Sequence, residues 1–281
     1  MSGEVLVKKK LIPAVLSAIS VVFILWIVWG NVTVGVTHYQ VKSGGIPSSL
    51  NRYKIAVVSD LHNARFGKNN RRLISLIEKE NPDIIAITGD LIDAKNTDIE
   101  TAVNFAKELV EIAPCYFVTG NHEANIRGKY EELEENLLEA GVVILHDSSE
   151  LITKNNDTIR ISGLDDPYFT NSYLSVKERI SSMNLTENYT VLLSHRPEIF
   201  SIYASENIDL ALCGHAHGGQ FRLPFIGGLI APNQGFLPKY DAGKYQENNT
   251  TMIVSRGIGN SIIPIRFNNR PEIVVVALIA D

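Results

Sequence analysis

The sequence predicts an α/β fold carried on parallel strands and preceded by one N-terminal transmembrane helix. Three observations lead there. Five apolar runs of β type are each followed at once by a short polar cluster, helical spacing recurs between them at a period near 30 residues, and a long uncharged stretch lies near the start of the chain. At 281 residues, 45% apolar and 20% charged, the chain can bury one large core or two small ones, and it is read as one domain plus an N-terminal segment.

Taken in order, Leu11 to Gly30 reads LIPAVLSAISVVFILWIVWG. As a helix it extends about 30 Å, the thickness of a bilayer's hydrocarbon. Lys8, Lys9 and Lys10 precede it and Trp26 and Trp29 lie near its far end. The positive-inside rule therefore makes residues 1–10 a cytoplasmic N-terminus and 11–30 a single-pass anchor in the cell membrane, with the rest extracytoplasmic. The stretch exceeds the ~7–15 residues of a secretory signal's apolar core, and no small-x-small cleavage site follows. Residues 31–51 are read as a linker with an edge strand over Val34 to Lys42, and 52–281 as one globular domain.

Within that domain Asp60 and His62 follow KIAVVS, Asp90 and Asp93 follow DIIAIT, Asn121, His122 and Glu123 follow CYFVT, His195 follows YTVLLS, and His215 and His217 follow IDLALC. Asp60 to Asp90 is 30 residues and Asp90 to Asn121 is 31, the length of a strand–helix–strand unit. Helices are predicted over Asn69 to Glu80, after a Thr97/Glu100 capping box, and over Tyr130 to Ala140 with Gly141 as the stop. Pro197 marks a further helix start. Val142 to Leu145 and Thr158 to Ile161 read as the opening of a second sheet. The chain beyond His217 is Gly- and Pro-rich without a period, and strands at Met252 to Ser255 and Ile273 to Ala280 close the domain.

Strands of a parallel sheet deliver their carboxyl ends to one edge, so the polar clusters are expected to converge there. They bring carboxylates, an amide and imidazoles, a nitrogen/oxygen set suited to Mn, Fe, Zn or Ni, with members enough for two ions. Thiolates are not required, and Cys115 and Cys213 are read as buried and unpaired. A net charge of -5, with no basic run interleaved with aromatics past the N-terminus, argues against nucleic acid as a partner. His38 and His146 lie outside every cluster and are assigned structural roles. Asp165 and Asp166 are read as turn residues, with the rim of the site as the alternative.

The order D-x-H, G-D-x-x-D, G-N-H-E, H, G-H-x-H, with the stretches SDLHNARFG and GHAHGGQFRLP, resembles the calcineurin-like metallophosphoesterase superfamily and its membrane-associated bacterial branch of phosphodiesterases, from about Val36 to the C-terminus. The resemblance implies a two-sheet α/β/β/α sandwich, with 52–281 as the catalytic domain, and a phosphoester substrate. It also implies two divalent metal ions, manganese being the preferred assignment. Asp60, His62 and His217 would hold one and Asn121, His195 and His215 the other, with Asp90 bridging. A hydroxide between the ions would attack phosphorus. His122 becomes the general acid, Asp93 orients it, and Asn121 also serves the substrate. Because His122 follows Asn121 on what is read as an extended strand end, the two side chains are expected to diverge.

Arg65, three residues after His62, is a candidate for gripping a substrate phosphate, and Arg222 a second. The anchor and the apolar Phe221, Leu223, Phe225, Ile226, Leu229 and Ile230 favour a membrane-proximal or lipid-linked substrate with a phosphodiester, phosphomonoester or pyrophosphate bond. A non-catalytic metal-binding scaffold and a nuclease are the alternatives of different class.

Overall fold

The computed structural model describes residues 2–169, 176–185, 187–260 and 263–281, with the backbone alone for 2–12, 127 and 169. Helix α1 (Ser2–Val32) runs past both ends of the apolar stretch, and its segment Pro13–Val32 is long and apolar enough to cross a membrane, with none of it buried against the domain's core. Strands β1 (Gly35–Ser43), β2 (Tyr53–Val58), β3 (Ile84–Thr88), β4 (Cys115–Val118) and β5 (Val143–Ile144) belong to the first sheet. Strands β6 (Ser148–Lys154), β7 (Asp157–Leu164), β8 (Thr190–Ser194) and β9 (Leu210–Cys213) belong to the second. Two short ribbons follow, β10 (Arg222–Leu223) with β11 (Gly227–Gly228) and β12 (Ile230–Ala231) with β13 (Gly235–Phe236). Then β14 (Gly243–Glu247) and β15 (Thr250–Val254) return to the second sheet and β16 (Glu272–Ala280) to the first.

The first sheet has the order β1-β16-β2-β3-β4-β5 and the second β14-β15-β9-β8-β7-β6. Their facing sides share one core, in which Ile55, Val57, Ala86 and Val118 meet Ile161, Val191, Leu193 and Leu212. On the outer side of the first sheet pack α2 (Arg71–Glu80), α3 (Ile99–Val110) and α5 (Tyr130–Glu139), through Leu73, Ile77, Phe105, Leu109, Leu133 and Leu137. The very short α4 (Asn121–Asn125) precedes α5. Outside the second sheet lie α6 (Val176–Ser182) and α7 (Phe200–Ser205), which contribute Val176, Ile180, Phe200 and Tyr203. This is the α/β/β/α sandwich. Because both faces of each central strand are covered, β3, β4, β8 and β9 are buried along their whole length and read as unbroken apolar runs rather than alternating ones.

Several expectations are corrected. The sheets are mixed: β16 runs antiparallel to β2, β6 to β7 and β14 to β15. Strands β6 and β14 were not legible, since on these sheet edges much of each strand faces solvent and few apolar residues mark it. Val143–Ile144 ends the first sheet rather than opening the second. The cap of α3 is Asp98, whose carboxylate accepts the Thr101 N–H at 3.0 Å, one residue later than the predicted Thr97 box. Helix α2 starts at Arg71 because Asn69 and Asn70 take left-handed backbone. Cys115 and Cys213 are buried and free, on different sheets.

Candidate metal centre

All five polar clusters stand at the carboxyl ends of central strands: β2, β3 and β4 from the first sheet, β8 and β9 from the second. Convergence therefore comes from two sheets stacked face to face, not from one edge. Asp60, His62, Asp90, His215 and His217 all have φ between +47° and +66°. Left-handed backbone costs a non-glycine residue roughly 1–2 kcal/mol, though Asp and His tolerate it better than most, and such residues cluster at functional sites. Gly89 turns at φ +85° against Gly120; a Cβ on Gly89 would stand 2.7 Å from the Gly120 backbone and 2.8 Å from His195 Nδ1. Close approach of these two turns is what carries Asp90 and Asn121 to the same place.

Three groups of donors result among the described residues, Asp60 with His62 and His217, Asp90 with His195 and His215, and a third that shares His62 with Asp93 and His122, each with its ligand atoms within 4.8 Å of one another; the first two are the fully buried ones. His62 Nε2 lies 3.2 Å from His217 Nε2, and His215 Nδ1 lies 3.1 Å from His195 Nε2. Asp90 Oδ2 stands between the first two groups, 3.6 Å from His62 Nε2 and 3.2 Å from His195 Nε2. Asp60 is set by the Ser59 hydroxyl, which donates to Oδ2, and by the His215 backbone N–H.

The electrostatics suit cations. Burial pushes the His62 pKa down to about 4 and that of His217 to about 3, and burial with the Arg196 guanidinium holds His215 well below its usual range, so all three are neutral donors. Burial also opposes charge on His195 and Asp90, but their mutual attraction overrides it. His195 rises to about 10 and Asp90 falls well below the carboxylate range. The proton held between them is one that a cation would displace. His195 Nδ1–H donates to the Thr88 carbonyl at 2.8 Å, leaving Nε2 for a ligand. Among the described residues, Asn121 Oδ1 is buried without a hydrogen-bond partner. A nitrogen/oxygen donor set, neutral imidazoles and this unpaired oxygen together fit a pair of divalent ions.

His122 adjoins the first group, its ring centroid 4.5 Å from that of His62. Asn121 and His122 open helix α4 rather than ending an extended strand, so the expected divergence of their side chains has no basis in the backbone. The His122 backbone N–H donates to Asp90 Oδ1 at 2.8 Å. Its Nδ1 accepts the Ala94 N–H at 2.9 Å, while Asp93 Oδ2 is 3.9 Å away and the other Asp93 oxygen caps Lys95 and Asn96. Asp90, Asp93, Asn121, His122, His215, His217 and Asn233 line a cleft of about 470 Å³.

Arg65 is not among the residues lining this cleft; it pairs with Asp98 at 2.7 Å, largely in solvent. Arg222 pairs with Asp241 at 2.9 Å and donates to the Gly218 carbonyl. Of the two aspartates read as turn residues, Asp166 clamps Arg196 through both oxygens, at 2.5 and 3.0 Å, and Asp165 takes His146 at 2.7 Å.

Three buried side chains around the donors were given no role by the sequence, although Glu123 stands within one of the polar clusters. Glu123 accepts the N–H groups of Gly120, Asp90, Leu91 and Ile92, tying the turn after β3 to the turn after β4. Arg196 reaches within 2.7 Å of His215 Nε2 and donates to Asn233 at 2.8 Å. Arg266 lies 3.4 Å from His217 Nδ1 and donates to the Gly259 and Arg256 carbonyls. Adjacency to His195 was the only available signal for Arg196.

A two-sheet sandwich that gathers such donors at the ends of its central strands defines a metal-dependent phosphoric ester hydrolase. A model of the calcineurin-like phosphoesterase family matches residues 53–219, and the chain belongs to that family. It is 30% identical over 249 residues to the uncharacterized metallophosphoesterase YkuE of Bacillus subtilis, covering 86% of this chain and 84% of that protein. It is 29% identical to phosphodiesterase YaeI of Escherichia coli, covering 81% and 82%. To a zebrafish (Danio rerio) transmembrane protein with a metallophosphoesterase domain it is 29% identical, over 86% of this chain and 57% of that one. Among solved structures, TT1561 of Thermus thermophilus shares the fold with a TM-score of 0.51 at 13% identity, covering 74% of this chain and 90% of that one.

Proposed function

We propose that the protein hydrolyses a phosphodiester, phosphomonoester or pyrophosphate bond of a membrane-proximal or lipid-linked substrate with two divalent ions, manganese preferred. Asp60, His62 and His217 would hold one and Asn121, His195 and His215 the other, with Asp90 common to both. The observation that carries this reading is the position of Asp90 Oδ2, within 3.6 Å of His62 and 3.2 Å of His195. When bound, the ions supply Lewis acidity and charge neutralisation at the ester phosphate.

The remaining roles belong to side chains. Arg196 and Asn233 converge on His215 Nε2, at 2.7 and 2.9 Å; because the guanidinium can only donate, ligation through Nδ1 would require the Nε2–H to turn to Asn233 Oδ1 and the Arg196 contact to give way. His122 would be the general acid: its Nδ1 accepts the Ala94 N–H and its proton sits on Nε2, so delivery of that proton to the leaving oxygen requires Nδ1 first to exchange this contact for a proton of its own facing Asp93, 3.9 Å away. Asn121 Oδ1 serves an ion while its amide nitrogen remains for the substrate. The anchor at 11–30, with residues 1–10 cytoplasmic and 52–281 extracytoplasmic, is supported by the uncovered apolar helix and by the zebrafish relative named as a transmembrane protein. That placement favours a substrate at the lipid surface.

The test is Asp90→Asn in the full-length protein. Loss of manganese stoichiometry from two towards one or none, with loss of aryl phosphodiester hydrolysis, is the expected result. A variant that keeps both ions refutes the shared role of Asp90.

A further inference from the structure

Outside α1, the described residues include eleven exposed large apolar side chains. Leu138, Leu151 and Tyr168 are scattered, and the other eight fall within 223–237 and 263–265. Those two segments form one platform. Gln220 Nε2 donates to the carbonyls of Ile263 and Ile265 at 2.9 and 2.6 Å, the Arg222 N–H donates to Phe267 O at 2.9 Å, and the Leu237 N–H donates to Leu229 O at 2.9 Å. Phe225, at the turn between β10 and β11, is fully exposed and Phe236 is 73% exposed, so among the described residues nothing covers the first and little covers the second.

The same platform carries the end of α1. The Phe267 ring lies 5.4 Å from that of Trp26 and 6.3 Å from that of Phe23, and the Arg270 guanidinium sits 4.7 Å over the Trp29 ring. Phe23 precedes the helix end, Val32, by nine residues, about 13 Å along the axis. If the apolar part of α1 is in the bilayer, Phe267 lies beside it at the depth of the Trp26 and Trp29 rings, which favour the interface.

We propose that this platform is embedded in the interfacial layer of the membrane that α1 spans, so that the domain is held by a second, independent attachment. The inference rests on the membrane-spanning reading of α1 and deepens the proposed function. Pro232 and Asn233, between β12 and β13, line the metal cleft, so an embedded platform opens that cleft onto the lipid headgroups, where an ester phosphate with its acyl chains still in the bilayer can enter. An aromatic and aliphatic surface beside a helix exit, with Lys239 near it in sequence, has the composition of an interfacial membrane contact.

The experiment uses the full chain in vesicles of phosphatidylcholine and phosphatidylglycerol, nitroxide-labelled at Phe225→Cys, Ile265→Cys or, as a control, Leu151→Cys. Both native cysteines are buried and do not compete for label. Labels at 225 and 265 are expected to collide more with oxygen than with an aqueous nickel chelate, and the label at 151 the reverse. Labels at 225 and 265 as open to nickel as that at 151 overturn the proposal. So does shielding from both quenchers with spin–spin broadening, the sign of a second copy on the platform. The two labelling sites guard against one variant misfolding. Phe225→Asp is expected to raise the KM for a vesicle-borne phosphoester by roughly tenfold and leave that for a soluble aryl ester unchanged; equal effects on both substrates count against embedding. Because the collision measurement needs no turnover, it remains informative if the hydrolytic reading fails.

Discussion

A histidine whose Nδ1 accepts a backbone N–H is neutral and carries its one proton on Nε2, and that is the state of His122 beneath Ala94; to act as an acid it must take a second proton on Nδ1, the side on which Asp93 stands. Its ring is 14% exposed and faces the cleft that Asp90 and Asn121 also line. His122→Asn is expected to retain both ions, because the proposed ligands are untouched, and to lower kcat by roughly 10²–10⁴. An empty centre in that variant would make His122 a ligand instead, a role its place beside His62 and Asp93 permits geometrically. The donors at strand ends were legible in the sequence because an apolar run and the turn after it are local. The roles of Arg196, Glu123 and Arg266 were not. Arg196 acquires its role from Asp166, 30 residues away, and Arg266 from His217, 49 residues away, and no local pattern encodes such pairings.

Elements are joined across layers by polar contacts as well as by the apolar core, and His146 is the clearest case. It follows β5 and links Glu134 on α5, 2.8 Å from Nε2, with Asp165 at the end of β7, 2.7 Å from Nδ1. The first sheet's helix layer is thereby tied to the second sheet. The Asp165 hydrogen bond, with the Glu134 charge, outweighs burial and raises the His146 pKa to about 9. The folded state thus binds this proton more tightly than an unfolded chain, in which a histidine titrates near 6.5. Its contribution is fully present below about pH 6.5 and is lost as pH rises through about 9. The side chain is 38% exposed, so solvent screening keeps the gain modest. Urea midpoints of the parent and His146→Gln should differ at pH 6 and converge by pH 10; a gap that does not change with pH rules the ion pair out as its source. The sequence marked His146 as structural, and that reading agrees with these contacts. Strands β6 and β14 escaped for the opposite reason, because an edge strand exposed to water can be polar and still complete its ladder.

At the scale of the whole molecule, the apolar helix and the metal centre are linked through one residue. The Asn31 side chain, at the end of α1, donates to the Arg266 carbonyl at 2.9 Å and accepts the Arg266 N–H at 2.8 Å, as a neighbouring strand would. The Arg266 side chain is fully buried, which lowers its pKa to about 10, still high enough to stay charged at neutral pH, and its guanidinium lies against His217. Sequence could supply the helix and the histidine separately, but not this pairing across 235 residues. Replacing Arg266 with Met removes the donors that hold the Gly259 and Arg256 carbonyls beside the site and frees the His217 ring. On the ligand assignment proposed above, manganese affinity at the Asp60, His62 and His217 position should fall about 10–100-fold, the usual cost of losing a side chain that supports a ligand. Asn31→Leu leaves the Arg266 N–H and carbonyl unpaired and should weaken the same ion to a smaller extent, with the double variant no worse than Arg266→Met alone. Manganese titration of the detergent-solubilised full chain, stripped of metal, measures all three. If Asn31→Leu lowers the melting temperature but leaves both ion affinities unchanged, the helix only holds the domain in place; if the affinity follows, the way α1 is seated sets the geometry of the metal centre.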